Sequence, residues 1–491
     1  MTSKTSAGLV AAVALAGLAP GAARAQEQTL TKEYDNGGVY SGTFVDGRQQ
    51  GHGTYRLPNG YEYVGEWVEG RIEGEGKATY PDGTVFEGHF VAGQPDGKGK
   101  MTFAGGGTLE GNWVKGRATG QGVAIYPDGS RYEGGFLDSK RSGQGTLTAP
   151  SGARSTGTWV EGVLQGDARI AFPDGASYEG GIRDGQREGR GTAVLADGSR
   201  YAGGWKDGEF DGDGVLVMAN GDRYEGSFAA GRREGLGRFT SATGDIYDGG
   251  FVADQRQGAG TLTTADGFRY TGSWVADRFD GEGRATYPDG SVYEGSYKAG
   301  QPDGKGRITY ADKSSYDGDW SKGAITGQGT AHYADGSTYV GGFRDGRHEG
   351  QGKLTEADGY VYDGNWQDGA RQGQGVSVYP DGTRYEGNFE KGNRDGKGKM
   401  TFPNGTVQEG VWAHGQLNGS GKETYPDGSV YEGAFVDGQR QGQGRMRLAD
   451  GQVYEGLWQA GKPAGPAEPG LPKAGTAPAE PAAPASPTAT E

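Results

Sequence analysis

"YPDGTVFEGHF", residues 80–90, returns as "YPDGSVYEGSY" at 287–297, "YPDGTRYEGNF" at 379–389 and "YPDGSVYEGAF" at 425–435. Each copy reads as a turn followed by a strand. Pro presets φ for the first corner, Asp bonds its own backbone, and Gly takes the left-handed conformation that closes a bulged hairpin. In "FEGHF", Phe86, Gly88 and Phe90 share one face while Glu87 and His89 share the other, the period of two of a β-strand. A second run, "GKGKMTF" at 97–103, alternates in the same way. Two strands per copy, joined alternately by the YPDG turn and by a longer charged link such as "VEGRIEG" at 68–74, make a β-meander.

Aligned on the residue that opens the strand, the copies stand at Tyr40, Tyr63, Phe86, Leu109, Tyr132 and onward to Tyr431 and Tyr454, nineteen units of 23 residues without insertion or deletion. Two residues after each comes a Gly, from Gly42 to Gly456, and two further on a large side chain such as Phe44, Trp67, Phe90 or Trp113. The expected fold is all-β: an elongated single-layer antiparallel meander of about nineteen hairpins, roughly 180 Å along the pairing direction at ~4.8 Å per strand. No second layer covers the apolar face of such a sheet. Its rings must lie flat across neighbouring strands, which requires bare Gly42 and Gly53 beneath them. A single layer is also expected to leave those rings partly exposed. Units of this kind gain stability from nearest-neighbour stacking along the array.

The pattern resembles the MORN repeat (membrane occupation and recognition nexus): Tyr-Glu-Gly-x-Trp/Phe, x-x-Gly, Gly-x-Gly, then an Asp/Asn-Gly turn. It is carried by "YEGSFAAGRREGLGRFTSATGD" at 224–245 and "YEGNFEKGNRDGKGKMTFPNGT" at 385–406, and covers about residues 34–462. The resemblance implies protein–protein scaffolding, self-association, and in some members contact with membranes and acidic phospholipids. Some lipid kinases carry such arrays, but their catalytic domain has no counterpart in this sequence.

Composition agrees with an array. Of 491 residues, 102 are Gly and only 33% are apolar, which argues against a large globular core, while 11% aromatics is too many for an ordinary disordered chain. Residues 1–25 read as an export signal, with Lys4, the apolar run Gly8–Ala19 and Ala23-Arg24-Ala25 before a mature start at Gln26. A periplasmic or secreted location follows, and residues 26–33 are a short polar lead-in. Loss of Lys4 and Arg24 leaves 47 basic against 64 acidic residues, taking the net charge from −15 to −17, so nucleic acid is not an expected partner and an anionic bilayer repels the mature chain. There is no Cys, hence no disulfide, thiolate nucleophile or lipidated cysteine. From 463 to 491 the pattern gives way to a Pro/Ala-rich tail expected to be a disordered spacer.

Trp alternates with smaller aromatics until Phe251 follows Phe228, after which Trp274 resumes the alternation. A shift of 207 residues, nine units, maps Trp67, Trp113, Trp159 and Trp205 onto Trp274, Trp320, Trp366 and Trp412, so a nine-unit block is duplicated with its join near Tyr247. Asp254 and Asp277 replace the usual turn Gly there, and Lys313 replaces the left-handed Gly of a YPDG-type turn. Local decay also puts Ser155 and Gln408 where Tyr is expected.

The search for chemistry finds no catalytic set, metal site or cofactor motif. His52, His89, His332, His348 and His414 fall at different phases without ligand spacing and read as solvated surface residues. Gly-x-Gly strings never stand between strand and helix, so no phosphate loop is expected. Asp82, Asp128 and Asp174 form a row, but at roughly 10 Å per hairpin they are too far apart to share Ca²⁺ and are read as turn residues. The candidate binding surface is the aromatic face: Tyr63, Trp67, Trp113, Tyr132, Trp159, Trp205, Tyr270, Trp274, Tyr316, Trp320, Trp366, Trp412 and Trp458. Structural burial and ligand contact are both open readings for it. The function expected is a non-enzymatic exported scaffold or binding ribbon for a protein partner, self-association or an envelope surface. The alternatives are glycan binding through the aromatic rows and phospholipid association.

Overall fold

The computed structural model of the chain describes residues 28–465. The export signal and all but the first three residues of the Pro/Ala-rich tail lie outside the described residues. The described chain is β-strand and turn throughout, in two compact units divided between Glu209 and Phe210. The first unit runs from β1 (Gln28–Glu33) through β2 (Val39–Val45), β3 (Arg48–Arg56) and β4 (Glu62–Val68) to the strand Arg200–Lys206. The second continues in the same fashion to Lys462–Pro463. Within each unit every strand pairs antiparallel with its neighbour in the chain, and extensive contacts run only between consecutive strands, so the sheet is a single open layer. Part of the expected lead-in is itself a strand, since β1 pairs along its whole length with β2.

Short strands of seven residues alternate with long ones of nine, and the difference is a bulge. Gly42 faces Gly53, yet Phe44 faces Gln49, so three residues of β3 stand opposite Thr43 alone. Gly51 absorbs the surplus at φ 67°, a conformation a Cβ disfavours. On its other edge β3 pairs regularly with β4, from Arg56↔Glu62 to Gly51↔Trp67. The bulge therefore bends each hairpin at the same place.

The two turns differ. At Tyr80–Thr84 the Tyr80 amide bonds the Thr84 carbonyl at 2.7 Å and the Gly83 amide bonds the Tyr80 carbonyl at 2.9 Å, with Gly83 at φ 86°. This is the bulged turn expected from YPDG, and a later repeat holds Lys313 at the same place with φ 71°. The "VEGRIEG" link is not long: Val68 pairs directly with Arg71 across Glu69 and Gly70, both left-handed at φ 48° and 83°. Such a two-residue turn matches the twist of the strands it joins. Its exposed amides are tied to the preceding hairpin, where Gln49 O accepts from Gly70 N at 2.9 Å and Gln50 Oε1 accepts from Glu69 N at 3.0 Å. Glu73 and Asp96 serve Ala92 N and Lys115 N in the same way, which explains an acceptor side chain at that place in the repeat.

Around Tyr247, where the duplication join is expected, the strand Ile246–Val252 keeps the standard register and bulge. Asp254 and Asp277, at φ 73° and 66°, use their carboxylates to accept from the amides of Arg233 and Arg256, each at 3.0 Å. Those bonds accommodate the loss of Gly.

A methyl group added at Gly283 would lie 2.4 Å from Tyr270 Oη, whereas one at Gly105 meets nothing within 4 Å. Gly283→Ala is expected to lower the local opening free energy of the hairpin by about 1–3 kcal/mol, and Gly105→Ala to change it by less than about 0.5 kcal/mol, as read by native-state hydrogen exchange.

Candidate functional site

The aromatic face is the core. Of the thirteen ring residues expected to form a surface, Trp67 is the most exposed, at 5%. A single layer therefore does hide its rings, contrary to expectation, because they pack on each other along the bent hairpins. Tyr40 stands edge-on to Phe44 of its own strand and to Trp67 of the next unit, both at 5.1 Å between centroids, and Tyr247 meets Phe251 and Trp274 at 5.2 and 5.1 Å. Such T-shaped pairs add about 0.5–1.5 kcal/mol beyond area burial.

Polar ends are satisfied within the backbone. Tyr63, Tyr132, Tyr270 and Tyr316 donate to the carbonyl three residues on, at 3.1, 3.1, 2.9 and 3.0 Å. Burial pushes their phenols up, Tyr270 to about 12. Trp113, Trp159, Trp205, Trp274, Trp320, Trp366, Trp412 and Trp458 donate Nε1–H to the carbonyl of the Gly fourteen residues earlier, from 2.9 to 3.3 Å. Trp67 Nε1 is buried without such a bond.

A feature missed in the sequence lies beside the rings. The second residue of the long strand covers the Tyr of its own unit, and at Arg141, Arg187, Arg233, Arg256, Arg371, Arg394 and Arg440 it is a guanidinium. Arg141, Arg187 and Arg256 also lie 4.2–4.3 Å from the ring of the next unit's Trp. Each bridges onward to the next turn, as in the bonds from Arg141 to Gly162 O and from Arg187 to Gly208 O, both 2.7 Å. The signal was a Arg recurring at one phase of the repeat. Elsewhere Phe279 stacks on Tyr270 at 3.9 Å and His348 on Tyr339 at 3.6 Å.

His348 is thus fully buried and not a solvated residue as expected, with Nε2 hydrogen-bonded to Tyr333 Oη at 2.5 Å. His52, His332 and His414 are exposed, and His89 is half-buried against the Asp96 carbonyl. Where Gln408 replaces Tyr, the facing position is Glu423, and both are buried. Glu423 accepts from Gln408 Nε2 at 3.0 Å and from Arg440 Nε at 3.2 Å, and Tyr425 completes the network. Two departures from the repeat therefore compensate each other.

The Asp row is turn chemistry. Asp82 and Asp128 accept from the backbone amides of Thr84 and Ser130 at 2.8 Å and Asp174 from that of Ala176 at 2.9 Å, and the hydrogen bonds hold the carboxyls of Asp82 and Asp128 below the usual range. Among the described residues no group of three or more His, Asp or Glu is placed to hold a metal.

Burial pushes the His348 imidazole down to about 3 from an ordinary 6.5. Between those values the unfolded chain binds the extra proton, so stability is full above about 6.5 and falls as pH drops. From pH 7.5 to 5 the hairpin 338–355 is expected to lose about 2 kcal/mol of opening free energy that His348→Phe, which imitates Phe279, does not lose. Hydrogen exchange of both forms at the two pH values checks this.

Comparison with known proteins agrees with the geometry. The family model for the MORN repeat matches seventeen segments, the first at 40–60 and the last at 431–453, and passes over 155–177, the unit that opens with Ser155. No curated protein matched. Solved structures that resemble the chain include the SAS-4 (dCPAP) TCP domain in complex with a proline-rich motif of Ana2 (dSTIL) of Drosophila melanogaster, at 13% identity, TM-score 0.21, over 41% of this chain and 90% of that one. The wild-type TCP10 domain of Danio rerio CPAP matches at 15% identity, TM-score 0.13, over 54% and 99%, and a streptogramin B lyase at 10%, TM-score 0.11, over 56% and 81%. At those scores nothing of their folds or functions transfers. Seventeen in-register matches over most of its length make this chain a member of the MORN repeat family.

Proposed function

We propose that this MORN array is a non-enzymatic, exported scaffold that holds a partner protein along the outer face of its sheet. The observation that carries this reading is an exposed aliphatic row in the first unit: Val68, Val91, Val114, Leu137 and Val160 recur at the same strand end, 39–59% exposed. Isolated exposed apolar residues need no explanation, but a row in fixed register is a feature of interaction surfaces. Opposite the first four stand Arg71, Gln94, Arg117 and Lys140, so the row has a largely basic border in an otherwise acidic chain. The rest of the outer face carries cross-strand pairs such as Lys77–Glu87 and Arg284–Glu294, both 2.6 Å and about half exposed, which keep it solvated at little gain in stability.

Glycan binding through Tyr and Trp rows loses its support, since buried rings present no face to a sugar. Phospholipid association is disfavoured by the net negative charge. Export rests on residues 1–25 of the sequence, and predicts a mature protein that begins at Gln26.

A photo-crosslinking side chain placed at Leu137 in cells tests the scaffold reading. The expected result is a discrete protein adduct, lost on Val114→Asp with Val160→Asp. Absence of protein adducts, with the chain retained instead on purified cell wall, would overturn it.

A further inference from the structure

Six repeats close the groove beside their rings with an arginine whose guanidinium spans the Tyr nine residues before it and the turn carbonyl of the next unit, twenty-one residues after it. In two consecutive repeats of the second unit that position is held by Pro302 and Ile325. Neither carries a donor. The groove there widens into a cavity of about 610 Å³, lined by Tyr287, Tyr293, Pro302, Trp320 and Ile325 together with Gly323 and Gly346.

The correspondence is residue for residue. Twenty-one positions after Pro302 and Ile325 stand Gly323 and Gly346, the turn glycines whose counterparts Gly162, Gly392 and Gly415 accept an arginine Nη2–H at 2.7, 2.9 and 2.6 Å. Nine before Pro302 is Tyr293, and eighteen after it is Trp320, the counterparts of Tyr132 and Trp159 around Arg141. Pro302 and Ile325 keep Tyr293 and Trp320 covered, at 1% and 4% exposure, but bring no donor of their own to the turn carbonyls. Beside the cavity, though not in its lining, the buried Tyr310 hydroxyl has no hydrogen-bond partner, whereas Tyr333 and Tyr425 at the same place in the repeat bond His348 and Arg440. Ile325 stands where their partners do. Asp345 and Lys322, both exposed turn residues, also line the cavity.

We infer that this cavity is a binding slot for a guanidinium cation on an alkyl stem, an arginine side chain supplied from outside in place of the one the repeat lacks. The stem would run along Pro302 and Ile325, and the planar head would donate to Gly323 O, Gly346 O or Asp345 beside the aromatic wall. Planar donors suit this set of acceptors better than an ammonium point charge does. The inference concerns the slot alone and does not rest on the scaffold reading.

Titration of the full chain with N-acetyl-arginine amide, against its uncharged citrulline counterpart, tests it by calorimetry. Saturable binding of the arginine compound, at least tenfold tighter than citrulline and weakened at least tenfold in Pro302→Arg, is expected. Pro302→Arg copies the residue found in seven other repeats, and Ile325→Arg is a second variant should the first perturb folding by circular dichroism. No saturable binding, equal binding of citrulline, or binding unchanged in both variants would overturn the assignment.

Discussion

A single layer of β-sheet must bury its apolar face with side chains drawn from that layer, and this constraint governs the molecule. A ring can lie over two strands only where both are bare. Tyr270 lies over Gly272 and Gly283, and a Cβ at either would approach its hydroxyl to 2.6 or 2.4 Å. From that contact follow the Gly-x-Gly of each long strand, the bulge that bends the hairpin, and the ring of the next unit that closes on the Tyr from the side. Because each Tyr is finished by a ring of the following repeat, burial of one hairpin depends on its neighbour.

Most of this was legible in the sequence because the period is short and strict. Tyr40 and Gly42 recur without insertion, and the YPDG turn has a local mechanism that no distant contact overrides. Two things were not legible. Alternation shows that Trp67 and Tyr63 share a face, but the extent of ring burial depends on strand bending, which comes from the surplus residues around Gly74 and not from the polar/apolar pattern. The link at 68–74 likewise looked long because its charged residues, Arg71 and Glu73, belong to a strand that is half exposed.

Residues that depart from the repeat were the hardest to read. His348 looks like any polar substitution until it is found stacked on Tyr339, in the place where other units use Arg or Phe. Gln408 and Glu423 look like decay when each is taken alone, and as facing residues they form a buried hydrogen-bonded network with Arg440. Removing one partner of such a network leaves an unpaired buried charge, at a cost of about 3–5 kcal/mol. At His348 the departure changes the groove beside the rings, whereas at Gln408 it replaces a ring of the aromatic core itself.

The coupling between repeats through their rings is tested most directly by a double-mutant cycle on Tyr247 and Trp274, whose centroids are 5.1 Å apart across adjacent units. Hydrogen exchange in the hairpins 246–263 and 269–286 would be followed for Tyr247→Ala, Trp274→Ala and the pair. The account predicts a coupling of about 0.5–1.5 kcal/mol, with each single change loosening both hairpins. Additive effects confined to the mutated hairpin would contradict it.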